Sequence, residues 1–450
     1  MAGTLSSGNS STKLAQIAEL ARRHPERVFS SLHHVIDVEL LREAFRRTRK
    51  KAASGVDGQN AEDYGRDLER NLESLLTRFR KGTYYAPPVK RVHIPKGDGR
   101  TRPIGIPTFE DKVLQRAVAM VLNAIYEQDF HSGSYGFRPG RGAHDALQAV
   151  WDTTMRVGGG WVLEVDIRAF FDTLDHGALR GFLDKRVSDG VIRRAIDKWL
   201  RAGVLEEGAV TRAEEGTPQG GVVSPILANV YLHEVLDLWF EHEVKPRLQG
   251  DATLIRYADD FVIVFAWEAD ARRVMEVLPK RFGRYGLTLH PDKTKLLKFT
   301  RPRPTRSKGD DGDDGPGSFD FLGLTHHWRR SRKGTMVVYR KTARTRFTRS
   351  LARIREWCRE NRHLPIGQQH RLLTMKLRGH NNYYGITGNH EALTRFAEAV
   401  RRTWHKWLAR RSQRANDRWD YFQRILRRFP LPQPRIRRRS VQLKLSEPLG

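Results

Sequence analysis

Along the chain the spacing of apolar residues changes several times, and each change marks an element. Between residues 14 and 79 apolar positions recur at helical intervals among many charges, interrupted by a loop at 52–58. Residues 89–94 read as a strand, and a Gly-Asp-Gly turn leads into a returning strand that carries basic residues. Helical spacing resumes with Val113, Leu114, Ala117, Val118, Val121, Leu122 and Ile125, a stripe read as core. An apolar strand from Trp161 ends in the carboxylate Asp166, and a charged helical region occupies 184–205. A Gly-rich turn from Gly216 passes into a helix with Ile226, Leu227, Val230, Tyr231 and Leu238 on one side. Runs of β-branched and aromatic residues at 254–258 and 261–265 predict a tight β-hairpin with Asp259 and Asp260 at its tip. A helix over 271–285, a return toward the sheet over 287–295, a strand at 319–324 and helices from 344 onward complete the pattern.

Composition narrows what such a chain can do. Its 450 residues suffice for two or three domains with sizeable cores. The net charge is +29, which attracts polyanions over long range and makes nucleic acid the leading partner. No apolar run approaches the roughly 18–20 residues that cross a bilayer, and residues 1–13 contain no apolar stretch of a secretory signal. Cys358 is the only cysteine, which excludes an intrachain disulfide and a multi-cysteine zinc site and fits a reducing cytoplasm. Residues 1–12 are Ser/Gly-rich and expected to be disordered. The insert 301–317 alternates Gly and Asp without the bidentate Glu of a calcium loop and is expected to be a flexible loop. From 401 to 440, fourteen Lys/Arg stand against two Asp, interleaved with Trp and Phe, a pattern suited to nucleic-acid contact.

Asp-Asp between two strands is also an ordinary turn, because Asp caps its own backbone. What favours chemistry is the second strand ending in a carboxylate, Asp166, followed by Phe170 and Phe171. Carboxylates that converge repel one another and lose hydration, and divalent cations are the usual compensation. Two such ions about 3.5–4 Å apart clamp the attacking and leaving oxygens of an in-line phosphoryl transfer. Lys96 and Arg102, on the basic β-loop, could hold a triphosphate, while the segment by itself also reads as a solvated hairpin. The Gly/Pro-punctuated loop 134–142, with Arg138 and Arg141, reads as a contact to a nucleic acid strand.

These blocks resemble the signature of group II intron-type reverse transcriptases and maturases. The resemblance rests on Asp166 with Phe170 and Phe171, on Thr-Pro-Gln-Gly-Gly-Val-Val-Ser-Pro from Thr217, and on Tyr257-Ala-Asp-Asp260. The segments at 94–108, 135–139, 286–295 and 321–323 follow in the family's order, and 377–385 resembles its thumb, or maturase, segment. The resemblance implies an α+β, right-hand polymerase with fingers, a palm of antiparallel sheet plus helices, and a helical thumb. Its expected parts are an N-terminal helical extension at 13–80, fingers and palm at 81–325, a thumb at 335–410 and a basic nucleic-acid-binding tail at 411–450. It implies that Asp166, Asp259, Asp260 and the main-chain carbonyl of Ile167 hold two Mg²⁺ ions, with Mn²⁺ as the alternative. Lys96, Arg102, Phe170, Phe171 and Gln219 would surround the nucleotide, with Phe171 as the gate against a ribose 2′-OH. Lys295 would lie near the primer, and Arg378, Tyr383, Arg401 and Arg402 would contact nucleic acid. Many members of that family also carry an endonuclease rich in cysteine and histidine, which this sequence is expected to lack.

The implied activity is RNA-directed DNA synthesis, with an RNA template, intron RNA, a DNA primer or target and dNTPs as partners. It would take place in the cytoplasm of a bacterium, in association with the nucleoid or a ribonucleoprotein. Two other readings stay open on sequence grounds: a splicing cofactor whose bound RNA does the chemistry, and a host-adopted enzyme of repair or defence.

Overall fold

The computed structural model describes residues 10–95, 101–206, 209–211, 216, 220–302, 317–411 and 419–436. In chain order the helices are α1 (Ser10–Arg23), α2 (Val38–Arg47), α3 (Ala61–Arg66), α4 (Leu68–Lys81), α5 (Phe109–Tyr126), α6 (Ala143–Val157), α7 (His176–Asp184), α8 (Gly190–Leu200), α9 (Ser224–Leu232), α10 (Glu268–Gly283), α11 (Arg344–Glu360), α12 (Ile366–Tyr384), α13 (His390–Leu408) and α14 (Trp419–Arg428). The strands are β1 (Val89–Pro95), β2 (Thr101–Ile106), β3 (Trp161–Arg168), β4 (Val204–Glu206), β5 (Ala209–Thr211), β6 (Ala252–Tyr257), β7 (Asp260–Phe265), β8 (Thr288–Leu289), β9 (Lys295–Lys298), β10 (Ser318–Phe321), β11 (Leu324–Arg330) and β12 (Met336–Thr342). The result is a mixed α+β fold in two compact units: residues 1–149 with 163–296, and residues 150–162 with 297–450.

In the first unit the predicted stripe on α5 is the centre of the core. Val113, Leu114, Ala117, Val118, Val121, Leu122 and Ile125 are all fully buried, and α1, α2 and α9 pack against this helix. The basic β-loop forms as expected: β1 and β2 pair antiparallel, from Lys90↔Ile106 to Pro95↔Thr101. β4 joins β1 in parallel and β5 closes that sheet. The second sheet runs β6-β7-β3-β8 and carries the candidate chemistry. β7 is buried at every position after Asp260. Burial on both faces explains why its sequence is a continuous apolar run rather than an alternation.

In the second unit β10, β11 and β12 make an antiparallel sheet. Helices α11 to α14 enclose Leu351, Ile354, Cys358, Leu373, Leu377, Phe396, Val400, Trp404 and Phe422. Several expectations shift here. Residues 10–12 are helical, because α1 begins at Ser10. The segment 335–410 opens with strand β12 rather than helix. Within the basic tail, α14 buries Phe422 against Trp404, so this stretch of the tail belongs to the packed unit. Its charges and its core ring alternate at helical period, and the charge run conceals the apolar face. The expected insert at 301–317 lies largely outside the described residues.

Candidate active site

The site is organised on the β6–β7 hairpin. Tyr257 pairs with Asp260, so the turn consists of Ala258 and Asp259. The sequence reading put Asp259 and Asp260 together in the turn, one position later. Ala258 takes the left-handed conformation, φ 59°, which brings the chain back a residue earlier. Asp260 therefore opens β7, exposed, while Asp259 is half-buried at the tip. β3 lies beside β7 in the sheet and carries Asp166 near its C-terminal end. Burial pushes the Asp259 carboxyl above its ordinary range; the charges of Arg102 and Arg256 pull it down and that of Asp166 pushes it up. Asp166 and Asp259 are thus within electrostatic reach of each other.

Asp166 has a cation on it: Lys293 Nζ stands 2.7 Å from its Oδ2. Its carbonyl accepts from the amide of His290 at 2.8 Å. The sequence reading takes Lys295 from this segment; Lys295 is exposed on β9, and the ion pair belongs to Lys293 two residues earlier. The Lys-Thr-Lys sequence does not distinguish the two lysines, since only tertiary contact tells which of them faces the carboxylate. The donors gathered here are oxygens, a set that suits a hard divalent cation. Among the described residues no group of three His, Cys, Asp or Glu side chains is assembled into a metal cage. Ile167 is paired with Leu289 of β8.

On the nucleotide side, Arg102 is exposed on β2 opposite Ile94, and its charge reaches Asp259. Lys96 and Gln219 lie outside the described residues. Phe170 and Phe171 are buried in a short 3₁₀ turn that follows Ala169 at φ 47°. Their rings meet edge-on at 5.3 Å, and Phe170 also packs on Tyr231 at 6.2 Å. The flanks of the Gly-rich block are tied down at three points. The amide of Gly216 donates to the carbonyl of Leu174 at 2.9 Å, and the His176 ring bonds the Gly216 carbonyl. Gly220, at φ 124°, lies so close to the carbonyl of Gly105 on β2 that a Cβ would collide with it. Gln115 of α5 accepts from the amides of Val222 at 2.7 Å and Val223 at 3.4 Å, just before α9. Gln115, His176 and Lys293 carried no distinct sequence signal.

Behind the hairpin is a buried polar brace. Arg256, fully buried on β6, binds Asp237 through Nε at 2.9 Å and through its other fork at 2.5 Å. Its remaining nitrogen donates to Asn229 Oδ1 at 3.0 Å and to the carbonyl of Ala258 at 3.1 Å. Arg256 holds Asp237 well below the usual carboxylate range, against the opposing effect of burial. Asp237 sits in a π turn, residues 233–237, that continues α9. The wider i→i+5 turn lags the helical rotation, so Asp237 meets the guanidinium that Asn229 already holds.

The loop read as a nucleic-acid contact completes this brace. The amide of Arg256 donates to Gly133 at 2.8 Å, and that of Tyr135 donates to Arg256 at 2.9 Å. Asn229 Nδ2 donates to the Gly136 carbonyl at 2.9 Å. A Cβ on Gly136 would run into the amide nitrogen of Ala258, so only glycine fits. Arg138 corrects the sequence reading. It is buried, forked onto Glu127 at 3.0–3.2 Å, and donates to the carbonyls of His131 and Ser134, both at 2.8 Å. Arg141 is half-buried, donates to the Ser132 carbonyl at 2.6 Å and lies over the Tyr135 ring. Both arginines fold the loop.

In the second unit, Arg378 is exposed on α12, and the Tyr383 hydroxyl donates to the carbonyl of Leu322 at 2.8 Å. Arg401 is half-buried. Arg402 is exposed and lines a basic cleft of about 660 Å³ with Arg355, Arg395, Lys406 and Trp407. No helix of the described residues is long and apolar enough to cross a membrane.

Comparison with known proteins agrees with this geometry. Residues 94–326 match the reverse transcriptase (RNA-dependent DNA polymerase) family, and residues 347–426 match the maturase-specific domain of group II introns. The chain is 34% identical to protein YkfC of Escherichia coli over 351 residues, which is 69% of this chain and 86% of YkfC. It is 32% identical to the group II intron-encoded protein LtrA of Lactococcus lactis over 302 residues, 64% of this chain and half of LtrA. A mitochondrial nuclear intron maturase 3 of Arabidopsis thaliana is 25% identical over 224 residues, 43% of this chain and 31% of that protein.

Proposed function

The chain belongs to the group II intron family of reverse transcriptases and maturases, and on that premise we propose that it extends a primer 3′-OH on an RNA template at the β3/β6–β7 site. The observation that carries this reading is that β3, with Asp166, lies beside β7, and that Asp259, in the turn before β7, feels the charges of both Asp166 and Arg102. In this reading the first unit supplies fingers and palm, and the helices of the second unit supply the thumb.

Asp166, Asp259, Asp260 and the carbonyl of Ile167 would hold Mg²⁺. When bound, the metal supplies charge neutralisation for a primer oxygen attacking the α-phosphate and for the departing pyrophosphate. The protein's own residues do the rest. Arg102, together with Lys96, neutralises the triphosphate; Phe171 closes the sugar side; and the brace around Arg256 fixes the carboxylate turn. Lys293, 2.7 Å from Asp166 Oδ2, compensates that carboxylate in this structure, and a cation bound by Asp166 would take over that role. The cleft at Arg402 gives the second unit a binding face for template–primer or intron RNA, which fits a role in splicing beside synthesis.

The test is primer extension on an RNA template with dNTPs and Mg²⁺, beside Asp259→Asn. Wild type is expected to extend, and the variant to fall by about a hundred- to a thousandfold while its RNA affinity is largely retained. Chelation of Mg²⁺ is expected to stop the wild type equally. Normal extension by Asp259→Asn would sink the assignment of the hairpin as the catalytic centre.

A further inference from the structure

The braced loop beside the catalytic turn leaves one residue unaccounted for. Phe137 lies between two positions that are locked. On its N-terminal side, Gly136 is flush against Ala258 and held by Asn229. On its C-terminal side, Arg138 is buried on Glu127. Phe137 itself is 51% exposed and sits at φ 59°. Both facts run against ordinary expectation. A bulky residue in the left-handed region is a genuine outlier, where glycine or asparagine would be easier. A large apolar ring in water contributes nothing to the core. A strained backbone that presents an aromatic face to solvent, one residue from the contact with the catalytic turn, is the kind of arrangement kept for a ligand.

We propose that Phe137 is a stacking platform for a nucleobase of the template–primer, presented beside the catalytic turn by the Gly133–Arg138 brace. The proposal rests on the polymerase reading for the identity of its ligand. A nucleobase fits because an open ring face accepts any base by stacking, without hydrogen-bond readout, and a polymerase must accept every sequence. The rigid loop matters as much as the ring. Because Gly136 is packed on Ala258, a base resting on Phe137 takes its position from the same backbone that positions Asp259. The base partner belongs either to the template or to the primer, and the chemistry is common to both.

The experiment measures binding without dNTPs, so it reads out independently of catalysis. The probe is an RNA template annealed to a DNA primer, with 2-aminopurine placed at successive positions of one strand and then the other. Wild-type protein is expected to quench one position strongly, and the strand that carries it identifies the partner. Phe137→Ala is expected to lose that quenching and to bind about 5- to 100-fold more weakly. Phe137→Trp is expected to restore both. Phe137→Gly suits the backbone, so it is expected to melt at a temperature equal to or above wild type while binding as poorly as Phe137→Ala. That result separates lost stacking from lost folding. Equal quenching at every position in wild type and Phe137→Ala, with unchanged affinity, would overturn the proposal. So would equal weakening by Trp and Ala, since the ring face would then be irrelevant. If wild type binds with Phe137-dependent quenching yet extends no primer, the polymerase reading fails and the stacking site stands.

Discussion

At the scale of single residues, this protein places polar groups where burial changes their chemistry. His326, on β11, is fully buried, with its ring stacked on Phe319 at 4.6 Å and Arg340 opposite on β12. Burial, reinforced by the charge of Arg340, pushes its imidazole down from 6.5 to about 3. The unfolded chain therefore takes up a proton below about pH 6.5 that the folded chain refuses until near pH 3. The sign follows: stability is full above pH 6.5 and falls as the pH drops toward 3, by up to about 1.4 kcal/mol per pH unit from this group. Urea melts of wild type and His326→Phe between pH 7 and pH 4 test this. The variant is expected to lose stability less steeply on acidification, and parallel curves would count against a neutral buried His326. Arg138 gives the complementary lesson. Its sequence context is that of a nucleic-acid contact, yet its guanidinium is occupied inside the fold.

At the scale of elements, the hairpin is a buried strand pair whose tip is controlled from behind. Arg256 is paired with Asp237 on the π turn and also holds the carbonyl of Ala258. Removing one member of a buried ion pair typically costs about 3–5 kcal/mol, whereas replacing both by apolar groups is often neutral. Arg256→Met is accordingly expected to lower stability by several kcal/mol. Adding Asp237→Leu is expected to recover most of that loss. Primer extension is expected to stay low in the double variant, because nothing then holds the Ala258 carbonyl beside Asp259. Denaturant melts and extension kinetics on the same preparations read the two effects separately. Full recovery of activity along with stability would show that the brace has no part in positioning the turn.

At the scale of the whole molecule, a net charge of +29 makes ionic strength the main control on nucleic-acid affinity. The cleft lined by Arg355, Arg395, Arg402 and Lys406 concentrates part of that charge on one face of the second unit. For each phosphate contact removed, the slope of log K against log salt is expected to shrink by about 0.7–0.9. Arg402→Gln combined with Lys406→Gln is therefore expected to reduce the slope by roughly 1.5 and leave the single-turnover rate on saturating template–primer unchanged. Fluorescence titrations at several salt concentrations provide the measurement. An unaltered slope would place the phosphate contacts elsewhere.

The sequence by itself determined the α5 core stripe, the strand pairs at 89–106 and 254–265, and the carboxylates Asp166, Asp259 and Asp260. These features rest on local periodicity and residue chemistry, and both survive in one dimension. It determined the family too, since the ordered motifs fall within the matched regions. Tertiary structure alone decided which groups meet across long separations. Asp237 on Arg256, Gln115 on the start of α9 and Lys293 on Asp166 are such pairs. The inside or outside of a loop was likewise settled by packing: Arg138 turned inward and Phe137 outward, although they are neighbours in the chain. The one-residue shift that separates Asp259 from Asp260 has the same origin. A side chain's face is set by register, register is set by what the strand pairs and packs against, and neither is written in local composition.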